Sequence, residues 1–337
     1  MPAAPVFWGD APGFLADLLS PIGAAYDAAG RLRRVISRSQ RPPVPVVCVG
    51  NLVAGGAGKT PIVLALSVWL VARGVQVHVV TRGYGGRLRG PVRVDPSRHD
   101  ALAVGDEALL LAMRAPCWVA RDRAAGVRAA TAEGAGAILL DDGFQNPTVG
   151  KTVGLIVVDA GYGFGNGRVI PAGPLRENLR RGLARADAVV LLAAEGDASD
   201  AEGLLPGCGV PVLNAVLAPL NGERLAGMRL LAFAGIGRPE KFFTTLQALS
   251  ADLVSTRAFP DHHPFRGAEL EALRRDAELS GARLVTTVKD IVRVPPAQQA
   301  GIEVLDVEVR WSDPNALARL ISPLIDGSRS ESVQSRS

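Results

Sequence analysis

Val44-Pro45-Val46-Val47-Cys48-Val49 runs directly into Gly50-Asn51-Leu52-Val53-Ala54-Gly55-Gly56-Ala57-Gly58-Lys59-Thr60, and a helical pattern follows from Pro61 to Arg73. An apolar strand, a glycine-rich loop and Lys-Thr at a helix start form the context of a P-loop. Glycines let successive backbone N–H groups turn inward around an anion, and the helix N-terminus adds positive partial charge. On this reading Asn51, Gly55, Gly56, Ala57, Gly58, Lys59 and Thr60 cradle nucleotide phosphates. Lys59 reaches the β- and γ-phosphates, and the Thr60 hydroxyl ligates Mg²⁺. Pro61 suits the first turn, where no backbone donor is needed. The strict pattern has glycine where this chain has Val53, and Ala54 excludes the variant with a second lysine. A plain Gly-rich turn would meet the same spacing, but Lys-Thr after a strand favours the nucleotide reading.

Working outward, apolar runs at 75–81, 117–120, 136–141, 153–159 and 187–192 read as strands, with helical patterns at 105–113 and 122–133. Such alternation predicts an α/β fold of the P-loop NTPase type, a doubly wound and mainly parallel sheet with helices on both faces. Ligands of these sheets bind at the carboxyl ends of the strands. The polar motifs fall there: the P-loop, Arg82, Arg121-Asp122-Arg123 and Asp141-Asp142. After an Ala/Gly/Asp/Glu-rich connection at 193–209, runs at 210–217 and 228–235 flank the turn Pro219-Leu220-Asn221-Gly222 and read as the passage into a second, smaller α/β domain, with further strands at 252–258, 283–288 and 303–309 and helices at 238–250 and 267–280. The expected division is 1–41, an N-terminal segment; 42–218, the P-loop domain; 219–326, the smaller domain; and 327–337, a Ser/Arg-rich tail expected to be disordered.

The 337 residues suffice for two such domains, and 48% hydrophobic with 21% charged residues suits substantial cores. A net charge of +4 favours anionic ligands or anionic membrane surfaces, and with 5% aromatics it does not call for nucleic acid. Cys48, Cys117 and Cys208 are far apart and read as reduced thiols, neither a disulfide framework nor a metal site. No apolar run is long enough to span a bilayer. In residues 1–41, Trp8, Phe14, Leu15, Leu18, Leu19, Ile22 and Tyr26 recur at helical spacing, and Arg31, Arg33, Arg34, Arg38 and Arg41 follow. That pattern suits a segment lying on an anionic membrane surface, or equally a helix docked on its own domain.

Ala137-Ile138-Leu139-Leu140-Asp141-Asp142 is an apolar strand ending in two acids, the form of a Walker B element facing Mg²⁺. Asp106-Glu107 suits a helix start as readily as a chemical role. His262, beside Asp261 in a polar loop, has the means to orient or activate a base, though spacing alone does not assign it one. Arg82, Arg121, Arg123 and Arg176 are candidate phosphate clamps.

Taken together, these motifs resemble the tetraacyldisaccharide 4′-kinase family, the lipid A 4′-kinases of Gram-negative bacteria. The likeness rests on Val49–Asn51 with Gly55–Pro61, Thr81–Gly86, Val104–Glu107, Arg121–Arg123, Asp141–Gln145, Pro171–Glu177, Phe259–His263 and Thr286–Asp290, in that order across residues 8–312. The resemblance implies ATP- and Mg²⁺-dependent phosphorylation of the 4′-hydroxyl of tetraacyldisaccharide 1-phosphate at the cytosolic face of the inner membrane, with the N-terminal segment at the bilayer. It implies Asp106 as general base paired with His262, and Asp141 and Asp142 as Mg²⁺ and γ-phosphate ligands. Arg82, Arg121 and Arg176 become substrate or phosphate contacts. Where the family commonly continues with His after Asp-Asp-Gly-Phe-Gln, this chain has Asn146. A P-loop kinase for a different sugar or acceptor, soluble or not, and an ATP- or GTP-driven switch or assembly factor are the competing readings. Thr287-Val288-Lys289-Asp290 resembles the guanine-reading Asn-Lys-x-Asp motif with Thr in place of Asn.

Overall fold

The computed structural model describes residues 5–195, 203, 205 and 209–322; Cys208 and the stretch 327–337 lie outside the described residues. Strand β1 (Val46–Gly50) is buried at every position and sits near the middle of a large sheet. Its neighbours are β5 (Ala137–Asp141) and β6 (Val153–Asp159), both parallel to it. Beyond β5 lie β2 (Val77–Thr81), β4 (Cys117–Val119) and the short antiparallel β3 (Val92–Arg93). Beyond β6 lie β7 (Ala188–Ala194) and β8 (Val212–Pro219), again parallel. Successive side chains of these strands enter opposite cores: Val47 and Val49 go one way, Val46 and Cys48 the other. Burial on both faces is why the strands read as continuous apolar runs.

Helix α2 (Lys59–Val71) begins two residues earlier than its apolar pattern and buries Ile62, Val63, Leu66 and Leu70 against the sheet. Its N-cap, Gly58, has φ +77, and a Cβ there would stand 2.3 Å from Leu192 Cδ2. Only glycine meets both demands. Helix α3 (Ala101–Val104) leads into α4 (Asp106–Ala112), and α5 (Arg123–Ala132) connects β4 to β5. Asp122 caps α5 by accepting from the Ala125 N–H at 3.1 Å. Helix α6 is Leu179–Leu183.

A second, wholly parallel sheet orders its strands β10 (Asp252–Ala258), β9 (Arg229–Ala234), β11 (Arg283–Thr287) and β12 (Ile302–Leu305). Helices α7 (Pro239–Ala248) and α8 (Gly267–Leu279) flank it, and α9 (Val288–Ile291) follows β11. The expected single strand at 303–309 is two. After Asp306, β13 (Val307–Trp311) turns back and pairs antiparallel with β8, and Leu317 and Ile321 enter the large-sheet core. Val210–Leu217, read as part of the passage into the second unit, contributes β8 to the large sheet.

At the N-terminus Trp8 is separate from the helix. Val6–Trp8 form a short turn whose indole Nε1 donates to the Pro171 carbonyl at 3.1 Å, and α1 (Phe14–Ile36) starts after Pro12-Gly13. Among the described residues no helix is long and apolar enough to cross a membrane.

Candidate active site

The register of β1 against β5 sets Val49 beside Asp141, so the second acid strand ends where the glycine loop begins. Asp141 Oδ2 accepts from Thr81 Oγ1 at 2.8 Å. Its Oδ1 is buried without a hydrogen-bond partner among the described residues. Burial, and then the charges of Glu107 and Asp142, push the Asp141 carboxyl up to about 7, against the pull of Lys59 and Thr81. The Asp142 N–H donates to Val49 O at 2.9 Å, and the residue takes φ +48. That left-handed turn is costly for an L-residue and directs the half-buried carboxylate outward. Its Oδ1 lies 2.8 Å from Arg176 and 3.7 Å from Lys59 Nζ. Burial would raise the Asp142 carboxyl, but Lys59 and Arg176 outweigh it and hold the group low.

Arg176 is held by backbone pairing. Its N–H donates to Leu52 O at 2.8 Å, and the Ala54 N–H donates to Pro174 O at 2.7 Å. This pairing explains Val53. The residue bridges antiparallel to Leu175 with its side chain buried, so the departure from the strict pattern falls in extended chain.

A second group assembles at the start of α4. Asp106 is 4% exposed, and its two oxygens lie 3.1 and 2.9 Å from His262 Nδ1. Arg293 Nε stands 3.4 Å away. Lys289 Nζ is 3.3 Å from Glu107 and 3.6 Å from Asp261. His262 takes φ +61 and its ring centroid is 5.3 Å from that of Tyr84. Burial pushes the Asp106 carboxyl upward; the His262 hydrogen bond and the charges of Lys289, His262 and Arg293 prevail and hold it below the usual range. Lys289 is raised, since Glu107, Asp106 and Asp261 outweigh the burial that would lower it. Arg293 also donates to Gly235 O at 2.9 Å and His263 O at 3.2 Å, and it pairs with buried Asp290. With Lys289 and Asp290 so engaged at the small sheet, the guanine-motif lookalike is accounted for by ion pairing.

The remaining sequence candidates divide. Arg82 and Arg121 are exposed and make no ion pair among the described residues. Arg123 is instead buried and donates to Ala120 O at 2.7 Å. Asn146 closes a local turn, its Oδ1 accepting from Thr148 N at 2.9 Å and Thr148 Oγ1 at 2.8 Å. Sequence reading left Thr81, Glu177 and Arg293 without roles. Each has a partner far away in sequence, Thr81 on Asp141, Glu177 on Arg34 and Arg293 on Asp106, and spacing names none of them. No cluster of three His, Cys, Asp or Glu side chains suited to a metal occurs among the described residues.

The family described as tetraacyldisaccharide-1-P 4′-kinase matches residues 15–326 of this chain. The tetraacyldisaccharide 4′-kinase of Rhodospirillum centenum is 54% identical over 332 residues, covering 96% of this chain and 97% of its own. That of Gluconacetobacter diazotrophicus is 52% identical over 325 residues, covering 96% and 98%. Among solved structures, the "apo" form LpxK from Aquifex aeolicus in complex with ATP matches with a TM-score of 0.74 at 25% identity, over 93% of this chain and 100% of that one.

Proposed function

The chain belongs to the tetraacyldisaccharide-1-P 4′-kinase family, and on that premise we propose that it transfers the γ-phosphate of ATP to the 4′-hydroxyl of tetraacyldisaccharide 1-phosphate. The observation that carries the reading is the closeness of a P-loop with its acid pair to a histidine-paired carboxylate. Thr81, which donates to Asp141 at 2.8 Å, opens the turn whose Tyr84 carbonyl oxygen would stand 2.4 Å from a Cβ at Gly105, the residue before Asp106, and whose Tyr84 ring centroid is 5.3 Å from that of His262. A phosphate donor and a hydroxyl acceptor thus have adjacent seats.

In the reaction, the 4′-oxygen forms its bond to the γ-phosphorus as the bond to the β–γ bridging oxygen breaks, and ADP leaves with that electron pair. The hydroxyl proton passes to Asp106. His262, donating from Nδ1, holds the carboxylate in line. A carboxylate kept low in pKa is a weak base, which suits a loose transition state whose proton leaves late and in which positioning and charge neutralisation dominate. Lys59 and the loop amides of Gly55–Thr60 bind the phosphates, and Arg176 neutralises charge beside Asp142. Arg82 and Arg121, exposed and without an ion pair among the described residues, are available to the acceptor.

The residues fit Mg²⁺. Asp141 has an unpartnered buried oxygen and a carboxyl near 7 that a cation would deprotonate. Thr60, Asp141 and Asp142 would hold the ion, which when bound neutralises the β- and γ-phosphate oxygens. One or two carboxylates plus phosphate oxygens are an ordinary Mg²⁺ shell.

Helix α1 supplies the membrane contact. Phe14, Leu18, Ile22, Leu32, Val35 and Ile36 are all more than half exposed. Arg31, Arg33, Arg38 and Arg41 are exposed beside them. Such a helix lies in the headgroup layer on the cytosolic side of the inner membrane and meets an acylated substrate there.

The test is transfer of radiolabel from γ-labelled ATP to tetraacyldisaccharide 1-phosphate in detergent micelles, with GTP in parallel. A labelled 1,4′-bisphosphate is expected from ATP. Nucleotide hydrolysis without that product would overturn the reading in favour of a switch. Equal kcat/KM on a deacylated sugar would favour a soluble acceptor.

A further inference from the structure

Helix α1 reverses the usual burial of a surface helix. Its inward stripe is Ala16, Ser20, Gly23, Asp27, Gly30 and Arg34, small or polar, with Leu19 half-buried beside it, while Phe14, Leu15, Leu18, Ile22, Tyr26, Leu32, Val35 and Ile36 face out. The inward stripe is bound to the chain segment at 166–181. Gly23 lies against it so closely that a Cβ would stand 2.7 Å from the Val169 carbonyl oxygen. Asp27, 7% exposed, accepts from the Asn178 N–H at 3.0 Å and pairs with Arg181. Arg34 Nη1 stands 3.2 Å from Glu177 Oε2.

Glu177 is 2% exposed, and its Oε2 has no well-aligned hydrogen bond, so Arg34 is the counter-charge on that side. Its Oε1 accepts from Arg185 at 2.8 Å and from Gln145 Nε2 at 3.2 Å. Gln145 Nε2 also donates to Asn51 O at 2.9 Å, the residue that opens the P-loop. The residue before Glu177 is Arg176, on Asp142. One short segment therefore carries α1 on one side and is stitched to residues 51–54 and Asp142 on the other. Packing and van der Waals contact do not require these charges; the ionic anchors of α1, Glu177 and Arg181, lie within five residues after the phosphate-site Arg176.

We propose that Asp27 and Arg34 are positioning residues of the phosphate site: through Asn178 and Glu177 they set where Arg176 stands relative to Asp142 and Lys59, so that the seating of α1 and the handling of the γ-phosphate are coupled. This rests on the kinase reading above and adds a regulatory consequence. Coupling is reciprocal, so whatever steadies α1 tightens ATP, and ATP steadies α1.

The experiment uses the full chain in detergent without acceptor, measuring Mg²⁺-ATP and Mg²⁺-ADP affinity by calorimetry for wild type, Asp27→Asn, Arg34→Gln, Arg34→Lys, Arg176→Met and Asp27→Asn/Arg176→Met. Asp27→Asn and Arg34→Gln are expected to weaken ATP roughly 5–20-fold, inside the usual range of such couplings, with ADP within about two-fold. With acceptor present, kcat should fall in proportion while KM for the acceptor holds. Arg34→Lys, which keeps the charge, should recover most of the ATP affinity. The double variant should bind ATP no more weakly than Arg176→Met, because both substitutions act through one guanidinium. An unchanged ATP/ADP ratio with a raised acceptor KM, or additive losses in the double variant, would overturn the proposal. Should wild type make no bisphosphate, the kinase reading falls by that assay alone, whereas the ATP/ADP ratio still reports the coupling.

Discussion

Replacing Arg293 by Met removes the buried cation that joins the two halves of the site. Its side chain is 4% exposed, between Asp106 at 3% and Asp290 at 0%. Methionine preserves most of the volume and the contact with Phe265, whose ring centroid is 5.6 Å from the guanidinium carbon. The loss is therefore electrostatic: Asp290 and Asp106 keep their charges without the shared partner, and the carbonyls of Gly235 and His263 lose a donor. Breaking a buried pair by deleting one member costs about 3–5 kcal/mol, equivalent to a fall in melting temperature of roughly 4–7 °C for a chain of this length unfolding as one unit. Burial has already raised the Asp290 carboxyl despite Arg293, Thr287, the Gly235 N–H and Lys289. Without Arg293 it rises further. A carboxyl raised on folding imposes a cost that begins above its unfolded value and is complete once pH passes its folded value. Asp106 is held low, so its stabilisation is present above the unfolded value and lost as pH falls through the folded one. Losing Arg293 shrinks that stabilisation. Both signs agree, but the Asp106 part varies only below about that group's unfolded value and is constant above it, so the gap between wild type and variant widens from pH 5 to pH 8 through Asp290. Urea unfolding at the two pH values measures it. A loss under about 1 kcal/mol at pH 8, or a gap that narrows as pH rises, would refute the reasoning.

Other substitutions and conditions have equally definite outcomes. Gly58→Ala must strain a φ of +77 and meet Leu192 at 2.3 Å, so ATP affinity should drop by an order of magnitude or more, read by calorimetry. With the Asp141 carboxyl at about 7, binding of Mg²⁺-ATP displaces a proton below that value. Apparent affinity should therefore rise up to about tenfold per pH unit below 7 and flatten above it. Proton release measured in two buffers of different ionisation heat checks this, and Asp141→Asn should remove it. Leu18→Asp with Val35→Asp, at positions 61% and 83% exposed, should abolish flotation with anionic vesicles and leave stability within about 0.5 kcal/mol. Retained flotation would remove α1 from the membrane contact.

How much of this was legible in the sequence depends on how local each determinant is. Between Val44 and Asp141 the strands β1, β2, β4 and β5 and the helices α2, α4 and α5 could be read within two residues, as continuous apolar runs or helical patterns, whereas the short β3 and α3 could not. The Lys59-Thr60 signal lies within one strand–loop–helix unit. The acid pair Asp141-Asp142 was legible as a strand end, although only the register of β5 on β1 brings it to the P-loop. The return of β13 to the large sheet was not legible, since Val307–Trp311 continues the apolar run of β12 and nothing in a strand pattern names its partner. Helix α1 showed its apolar face plainly, but which face docks was decided by Asp27 and Arg34 meeting residues about 150 positions away. The Asp106–His262 contact spans 156 positions. It came from resemblance, because spacing assigns no partner to either residue. Arg293 had no motif at all. Its role is visible only once β11 and α9 bring it against α4.

The most direct test of the account is a double-mutant cycle on Asp106 and His262, by single-turnover transfer from ATP to tetraacyldisaccharide 1-phosphate. If Asp106 takes the proton and His262 acts by holding it, Asp106→Asn should lower the transfer rate by about 10²–10⁴-fold, with ATP affinity preserved. His262→Ala should cost less, and the double variant should be no slower than Asp106→Asn alone. Additive losses, or an Asp106→Asn enzyme that transfers at the wild-type rate, would contradict it.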